Sequence, residues 1–333
     1  MARSFGIGGR DDAVEAEFSG ALAQRGGFDV VHFHHLTGMS LGLPAIAHGS
    51  GARVVFTLHD QWLRCARGQL IDHAGERCPG PDVDRCAHCL GAALWGPIPQ
   101  AHRLPARTGP VKRRNTQVAL ALQAIHLLHS PSAHLARDYS NAVVIPLPLL
   151  RSQRPAARTP DGPLRFLFLG TMLPTKGPHI ALEAFTQLRL PDAQLTLAGP
   201  ILPFNGSTRW ADDMTARAEK TENVRVRGDV DHAEVPALFD EHDVLLFPSL
   251  WEENSPFVLR EATAAGLRII ASEGAAADEI APEARRAAPG DVAAWTKAMQ
   301  EEIGVGRGRR PPVTWPSMAA HAQSMVERYR ALR

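Results

Sequence analysis

The sequence predicts an α/β protein made of two successive units, each a parallel sheet covered by helices. Three observations carry this. Short Val/Ile/Leu-rich runs alternate with helical stretches along the chain, the pattern of parallel strands buried on both faces. The length is 333 residues, which suits about two domains at roughly 150 residues each. Residues 151–163 are polar and hold three prolines, so they can pack neither as a helix nor as a central strand. The expected domains are therefore 1–150, a linker at 151–163, and 164–333.

In the first unit, Val30 to Phe33 and Val54 to Leu58 read as strands, and Ala142 to Ile145 closes the unit. The second unit opens with a strand from Leu164 to Leu169 that ends in Gly170. A helix over 180–188 follows, then a strand over 194–198 ending in Gly199. Val224 to Arg227, a helix over 235–241, a strand from Val244 to Phe247, a helix from about Pro256 to Ala265 and a strand from Leu267 to Ile270 continue the alternation. Trp315 to Arg333 reads as a helix, with Met318, Ala322, Met325, Val326 and Tyr329 at helical spacing.

Composition excludes several classes. A formal net charge of +1 argues against a broad electrostatic grip on nucleic acid. Hydrophobic residues at 44% and charged residues at 21% are too apolar for a disordered chain. Four cysteines in 333 residues cannot build a disulfide scaffold. No apolar run approaches the ~18 residues that span a bilayer, and Met1 to Phe5 lead into no apolar signal core. A soluble, cytoplasmic protein is expected.

In open parallel sheets, ligands bind beyond the carboxyl ends of the strands. The richest such position is Phe247 to Ala262, a strand end, a loop and a helix start. Ser255 suits an N-cap and Pro256 a first helical turn, and the free amides of such a helix end receive phosphate well. Glu253 and Glu261 stand eight residues apart, and two carboxylates around a phosphate cradle can hold the hydroxyls of two sugars. The same spacing fits a helix merely capped by an acidic loop, and spacing alone leaves the two readings level. The second position is 168–179, where Lys176 follows the first strand of the second unit. A compact cation there can neutralise a diphosphate, although a lone loop lysine is more often a solvated charge.

The Glu253–Glu261 block, with Trp251 to Pro256 before it and Glu261 to Gly266 in it, resembles the E-x7-E motif of retaining glycosyltransferases of family 4, which have the GT-B fold of two Rossmann-like domains. The resemblance covers essentially all of 164–333, through Leu197 to Pro200, Arg227 to Val230, Asp243-Val244 and Gly274 to Glu279. It implies transfer of a sugar from a nucleotide-diphosphate sugar, such as a UDP- or GDP-sugar, to a saccharide or lipid-linked acceptor in polysaccharide or glycoconjugate biosynthesis. It places Glu253 by the donor sugar and Glu261 on the nucleotide ribose. Gly170, Thr171, Asn254, Ser255, Pro256, Phe257 and Val258 belong to the donor loop and diphosphate cradle, with Lys176 as the matching cation. Thr171 stands where the family often has an arginine, and Leu267-Arg268 replaces its usual proline. His59, in Thr57-Leu58-His59-Asp60, takes the family's catalytic histidine role, and the last helix is implied to cross back to the first domain. No Asp-x-Asp motif sits at a strand end, and Asp212-Asp213 reads as a solvated helix face. This agrees with the family's metal-independent chemistry, which uses no cofactor.

Only about 27 residues precede the Asp29-Val30 strand, fewer than the family's opening βα units need, so the first domain is expected to be incomplete, with Gly6 to Gly9 as its only glycine cluster. Two alternatives follow: a non-catalytic remnant or complex subunit that binds nucleotide, and a nucleotide-sugar epimerase of the same fold. His32, His34 and His35 cluster near the first strand end, which suits a polar wall better than a metal site. All four cysteines share one loop, Cys65-x12-Cys78-x7-Cys86-x2-Cys89. Structural zinc, free thiols and two disulfides all fit, with His73 and His88 as substitute ligands. Some family 4 members are similar here too, from His59-Asp60 and Trp62 to Cys65. Arg103, Arg107, Lys112, Arg113 and Arg114 form a basic stretch that fits either a solvated helix start or peripheral contact with an anionic membrane.

Overall fold

A computed structural model describes residues 9–95, 104–149, 161–188, 192–204 and 206–332. Gly6 to Gly8, Arg103 and residues 151–160 of the expected linker lie outside this set. The chain folds as two compact units, Met1–Leu147 with Ala319–Arg333, and Pro148–Met318. Among the described residues no helix is long and apolar enough to cross a membrane.

The first unit contains α1 (Asp12–Gln24), β1 (Val30–Phe33), α2 (Leu43–Gly49), β2 (Arg53–Thr57), α3 (Val83–Trp95), α4 (Leu104–Ala124), β3 (Leu127–Ser130), α5 (Ala133–Ala136) and β4 (Ala142–Val144). Its four strands are parallel and follow chain order, β1-β2-β3-β4. Val54, Val55 and Phe56 are all buried, so β2 is covered on both faces, as its unbroken apolar run requires. β3 carries no such run. Its His129 is buried with polar partners instead, with Nδ1 2.9 Å from Thr57 Oγ1 and Nε2 2.8 Å from the Ile145 carbonyl.

The second unit runs β5 (Leu164–Leu169), a 3-10 turn (Pro174–Lys176), α6 (Pro178–Leu188), β6 (Ala193–Ala198), α7 (Arg209–Glu219), β7 (Val224–Gly228), α8 (Val235–Glu241), β8 (Val244–Phe247), α9 (Phe257–Ala264), β9 (Arg268–Ser272), α10 (Ala275–Ile280), β10 (Arg285–Ala287) and α11 (Val292–Val305). All six strands are parallel, in the order β10-β9-β8-β5-β6-β7. Alternate residues of β5 feed two cores. Phe166 and Phe168 pack with Leu195, Leu246 and Trp295 on one face, while Leu167 packs with Leu245, Leu259 and Ile269 on the other. Each such side chain contributes about 1.5–3 kcal/mol of burial. The strand order reverses between β5 and β8, and that switch point opens a crevice at the carboxyl ends of the two strands.

Three expectations change. The last helix is α12 (Met318–Ala331), and it groups with the first unit, so the second unit ends at Met318 and not at 333. Tyr329 of α12 lies 2.6 Å from His32 Nδ1, and His321 Nδ1 lies 3.0 Å from the Pro146 carbonyl. Of the five residues at helical spacing only Met325 is buried, and Val326 is 41% exposed. Trp315 precedes the helix. Its indole donates to Thr263 Oγ1 at 3.0 Å and its ring lies 4.7 Å from the Arg260 guanidinium. Finally, the basic stretch loses Arg114, which is buried, donates to the Trp62 and Leu63 carbonyls, and stacks on Trp62.

Candidate functional site

The switch point is built from the loops after β5 and β8. Two glycines shape the first loop, one within it and one at the end of the neighbouring strand β6. Gly177 has φ +73°, and a Cβ there would lie 2.0 Å from the Pro248 carbonyl oxygen. Gly199, after β6, has φ +137°, and its Cβ would lie 2.0 Å from the Gly170 carbonyl oxygen. Only glycine permits both the backbone conformation and the approach. The Gly170 amide is committed to the Ala198 carbonyl at 2.9 Å, and the Leu250 amide joins the two loops through the Thr175 carbonyl at 2.8 Å.

This packing sets Lys176 against Glu253. Nζ lies 2.8 Å from Oε1, with the lysine side chain 27% exposed and the carboxylate 7%. Ser249 Oγ also donates to Glu253 Oε1 at 2.8 Å. Lys176 Nζ stands 5.4 Å from the Trp251 ring centre, a cation–π contact that holds the ammonium at the loop surface. Asn254 is buried next to Glu253. Lys176 and Glu253 thus meet where the loops after β5 and β8 come together.

Glu261 lies on α9, buried at 7% exposure. Its partner is neither Lys176 nor Glu253 but His232, whose Nε2 is 2.8 Å from Oε1. Burial pushes the Glu261 carboxyl above its usual range, and the His232 bond partly holds it down. α9 begins one residue later than expected. Pro256 is its N-cap, with extended backbone and no side-chain cap. Ser255 does not cap the helix, because its hydroxyl accepts the Arg260 guanidinium. Phe257 is 43% exposed at the start of α9 and Val258 is half-buried. Gly170 and Thr171 are half-buried at the end of β5. Sequence reasoning missed His232, Ser249 and Trp251. The last two lie between Phe247 and Ala262 and could have been found there. His232 sits 29 residues from its carboxylate, beyond any local signal.

His59 belongs to the first unit, just beyond β2. Its Nε2 lies 3.2 Å from His34 Nδ1, and His34 in turn stacks on His32 at 4.3 Å. His35 turns away, 3.4 Å from Asp60 Oδ1. Among the described residues no group of three or more His, Cys, Asp or Glu is set to hold a metal ion. The four cysteines are not joined in disulfides and all line one cavity of about 30 Å³. His73 and His88 face each other at 5.0 Å and do not line it.

Residues 151–301 match the family model described as glycosyl transferases group 1. A glycogen synthase of Mycobacterium tuberculosis is 35% identical over 123 residues, which are 35% of this chain and 28% of that protein. The chain therefore spans under a third of the length of that curated relative. A sucrose-phosphate synthase from Thermosynechococcus elongatus superposes with a TM-score of 0.62 at 18% identity, covering 96% of this chain and 77% of that one. HepE of Anabaena, solved in complex with UDP and glucose, superposes with a TM-score of 0.59 at 15% identity, covering 86% and 71%. The structural neighbours are GT-B glycosyltransferases, and the fold of this chain is GT-B.

Proposed function

We propose that this chain is a retaining, metal-independent glycosyltransferase of family 4. It moves a sugar from a UDP- or GDP-sugar to a saccharide or lipid-linked acceptor, in the cytoplasm or at the inner face of the membrane. The observation that carries the reading is the 2.8 Å contact of Lys176 with Glu253 at the strand-order reversal of the sheet, where α/β folds bind nucleotides. Lys176 is the cation for the departing diphosphate, and the amides opening α9 add the positive end of a helix. As the bond from the anomeric carbon to the β-phosphate breaks, negative charge grows on the diphosphate, and preorganised charge of this kind stabilises it. Glu253 holds the transferred sugar and Glu261 the ribose hydroxyls. The buried, His232-bonded carboxylate suits that task because it is an acceptor fixed in place before ligand arrives. His59 keeps its role by resemblance alone.

A second reading is a nucleotide-binding chain that transfers no sugar on its own. It is favoured by the family match, which covers residues 151–301 and so falls within the second unit.

Thermal denaturation with UDP, GDP, ADP and dTDP, beside Glu261→Gln, tests the donor site. A nucleotide at 100 times its dissociation constant adds about 2.7 kcal/mol. One nucleotide is expected to stabilise the chain and to lose that effect in the variant. Stabilisation without turnover of any nucleotide sugar selects the second reading, and no shift with any nucleotide overturns both.

A further inference from the structure

The four cysteines take no part in the donor site, yet the fold gathers them. Cys65 lies in the turn after β2. Cys78 closes a short antiparallel bridge between Ile71 and Arg77, its amide donating to the Leu70 carbonyl at 2.7 Å. Cys86 and Cys89 lie on α3 at i, i+3 spacing, which puts both on one face of the helix. All four line the same cavity of about 30 Å³, enough for an ion or a water molecule.

Two further observations say what the cavity is for. The first is the poverty of the loop. From Cys65 to Cys86 the only buried apolar side chain is Ile71, and Leu70 is held at φ +51°, a region that disfavours a side chain. A segment this long and this poor in core needs a cross-link to offset its ordering entropy. The second is the charge around it. Arg64, Arg67, Arg85 and Arg114 line the same cavity. Arg114 is only 3% exposed, and its Nε has no hydrogen-bond partner. Asp72 lines the cavity too and Arg64 is paired with Asp138, so positive charge is in excess there, and four neutral thiols do nothing to balance it. A divalent cation held by four thiolates carries a net charge of −2 and does.

We propose that Cys65, Cys78, Cys86 and Cys89 bind one zinc ion that clips the 65–89 loop to α3. Zinc is the fit because an all-sulfur, four-ligand set suits its tetrahedral preference, and a closed set of this kind is structural. Among the described residues the sulfurs are not already set as a metal group, and Cys78 Sγ donates to the Gly80 carbonyl at 3.3 Å, so the proposed binding requires that contact to break and the sulfurs to close in. Four S–H bonds are exchanged for four S–Zn bonds, and four protons pass to water. His73 and His88 stay outside the set.

The test uses the full chain, purified without chelator and with its thiols kept reduced. Elemental analysis is expected to find one zinc per chain. Titration with an organomercurial is expected to release that zinc as four thiols react. Cobalt(II) in its place should give the sulfur-to-cobalt charge-transfer absorption of a tetrathiolate site. Cys86→Ser with Cys89→Ser should lower zinc content at least tenfold, while His73→Ala with His88→Ala should leave it unchanged. If the cysteine variant fails to fold, the wild-type stoichiometry and the cobalt spectrum decide. The proposal is overturned by a wild-type chain that takes up no zinc on reconstitution and shows four thiols reacting equally fast with and without the metal. Two disulfides found by mass spectrometry in the folded chain overturn it as well.

Discussion

Lys176 and Glu253 neutralise each other across 2.8 Å, so removing either leaves a distinct mark. Lys176→Ala leaves a buried carboxylate whose remaining hydrogen-bond partner among the described residues is the Ser249 hydroxyl, which costs about 1–3 kcal/mol of stability. On the proposed function it also removes the cation for the departing diphosphate, at a loss of roughly 10²–10³ in kcat. Glu253→Gln keeps the Ser249 contact and frees the ammonium, so nucleoside diphosphate should bind at least as tightly as to the wild type while sugar transfer falls. Calorimetric Kd beside kcat separates the two. If both substitutions weaken nucleotide binding equally, the two side chains do not have the separate roles assigned here. The pair was legible because each residue stands in a motif at a strand end. His232 was not, because it reaches Glu261 only through the fold.

The loops that carry these residues are shaped by backbone sterics, and Gly177 shows it. Alanine there must hold φ +73° and push against the Pro248 carbonyl. The left-handed backbone and the overpacking together cost roughly 2–5 kcal/mol. Gly228 has a similar φ of +71°, but nothing stands within 4 Å of where its Cβ would lie, so Gly228→Ala should cost only about 1–2 kcal/mol. Urea denaturation of both variants checks the difference, and nucleotide affinity should fall in Gly177→Ala alone. Equal losses would mean that the Gly177–Pro248 approach does not set the loop. At this scale most strands were legible, because β5, β6, β8 and β9 are apolar runs between helices. β3 and β10 were not. β3 spends two of its four positions on His129 and Ser130. β10 opens with Arg285 and Arg286, which are tied to Glu302 and Asp278 at 3.0 Å each. Ion pairs and buried hydrogen bonds replace hydrophobicity there, and periodicity cannot see them.

The whole chain is close to neutral, so its response to acid is decided by individual groups. Burial holds His32 down to about 3, with His34, His129 and His59 adding to the effect. Burial likewise lowers His34, His59, His126 and His129 of the first unit, and His179 of the second. These rings stay neutral when folded and take up protons on unfolding. The unfolded state therefore binds more protons, and stability present above about pH 6.5 is lost as pH falls towards 3. For His32 the slope approaches about 1.4 kcal/mol per pH unit once the unfolded ring is fully protonated. Glu261 works in the opposite sense. Its raised carboxyl costs stability as pH climbs through the carboxylate range, so it cannot cause acid lability. The lowered histidines lie mainly in the first unit, and hydrogen exchange read peptide by peptide should therefore show β1 to β4 losing protection between pH 7 and 5 before β5 to β9 do. His32→Asn, whose amide can take the place of Nδ1 beside Tyr329 but does not titrate, should flatten the response of the first unit. Uniform loss of protection across both sheets, or an unchanged slope in the variant, would place the acid sensitivity elsewhere than in this histidine cluster.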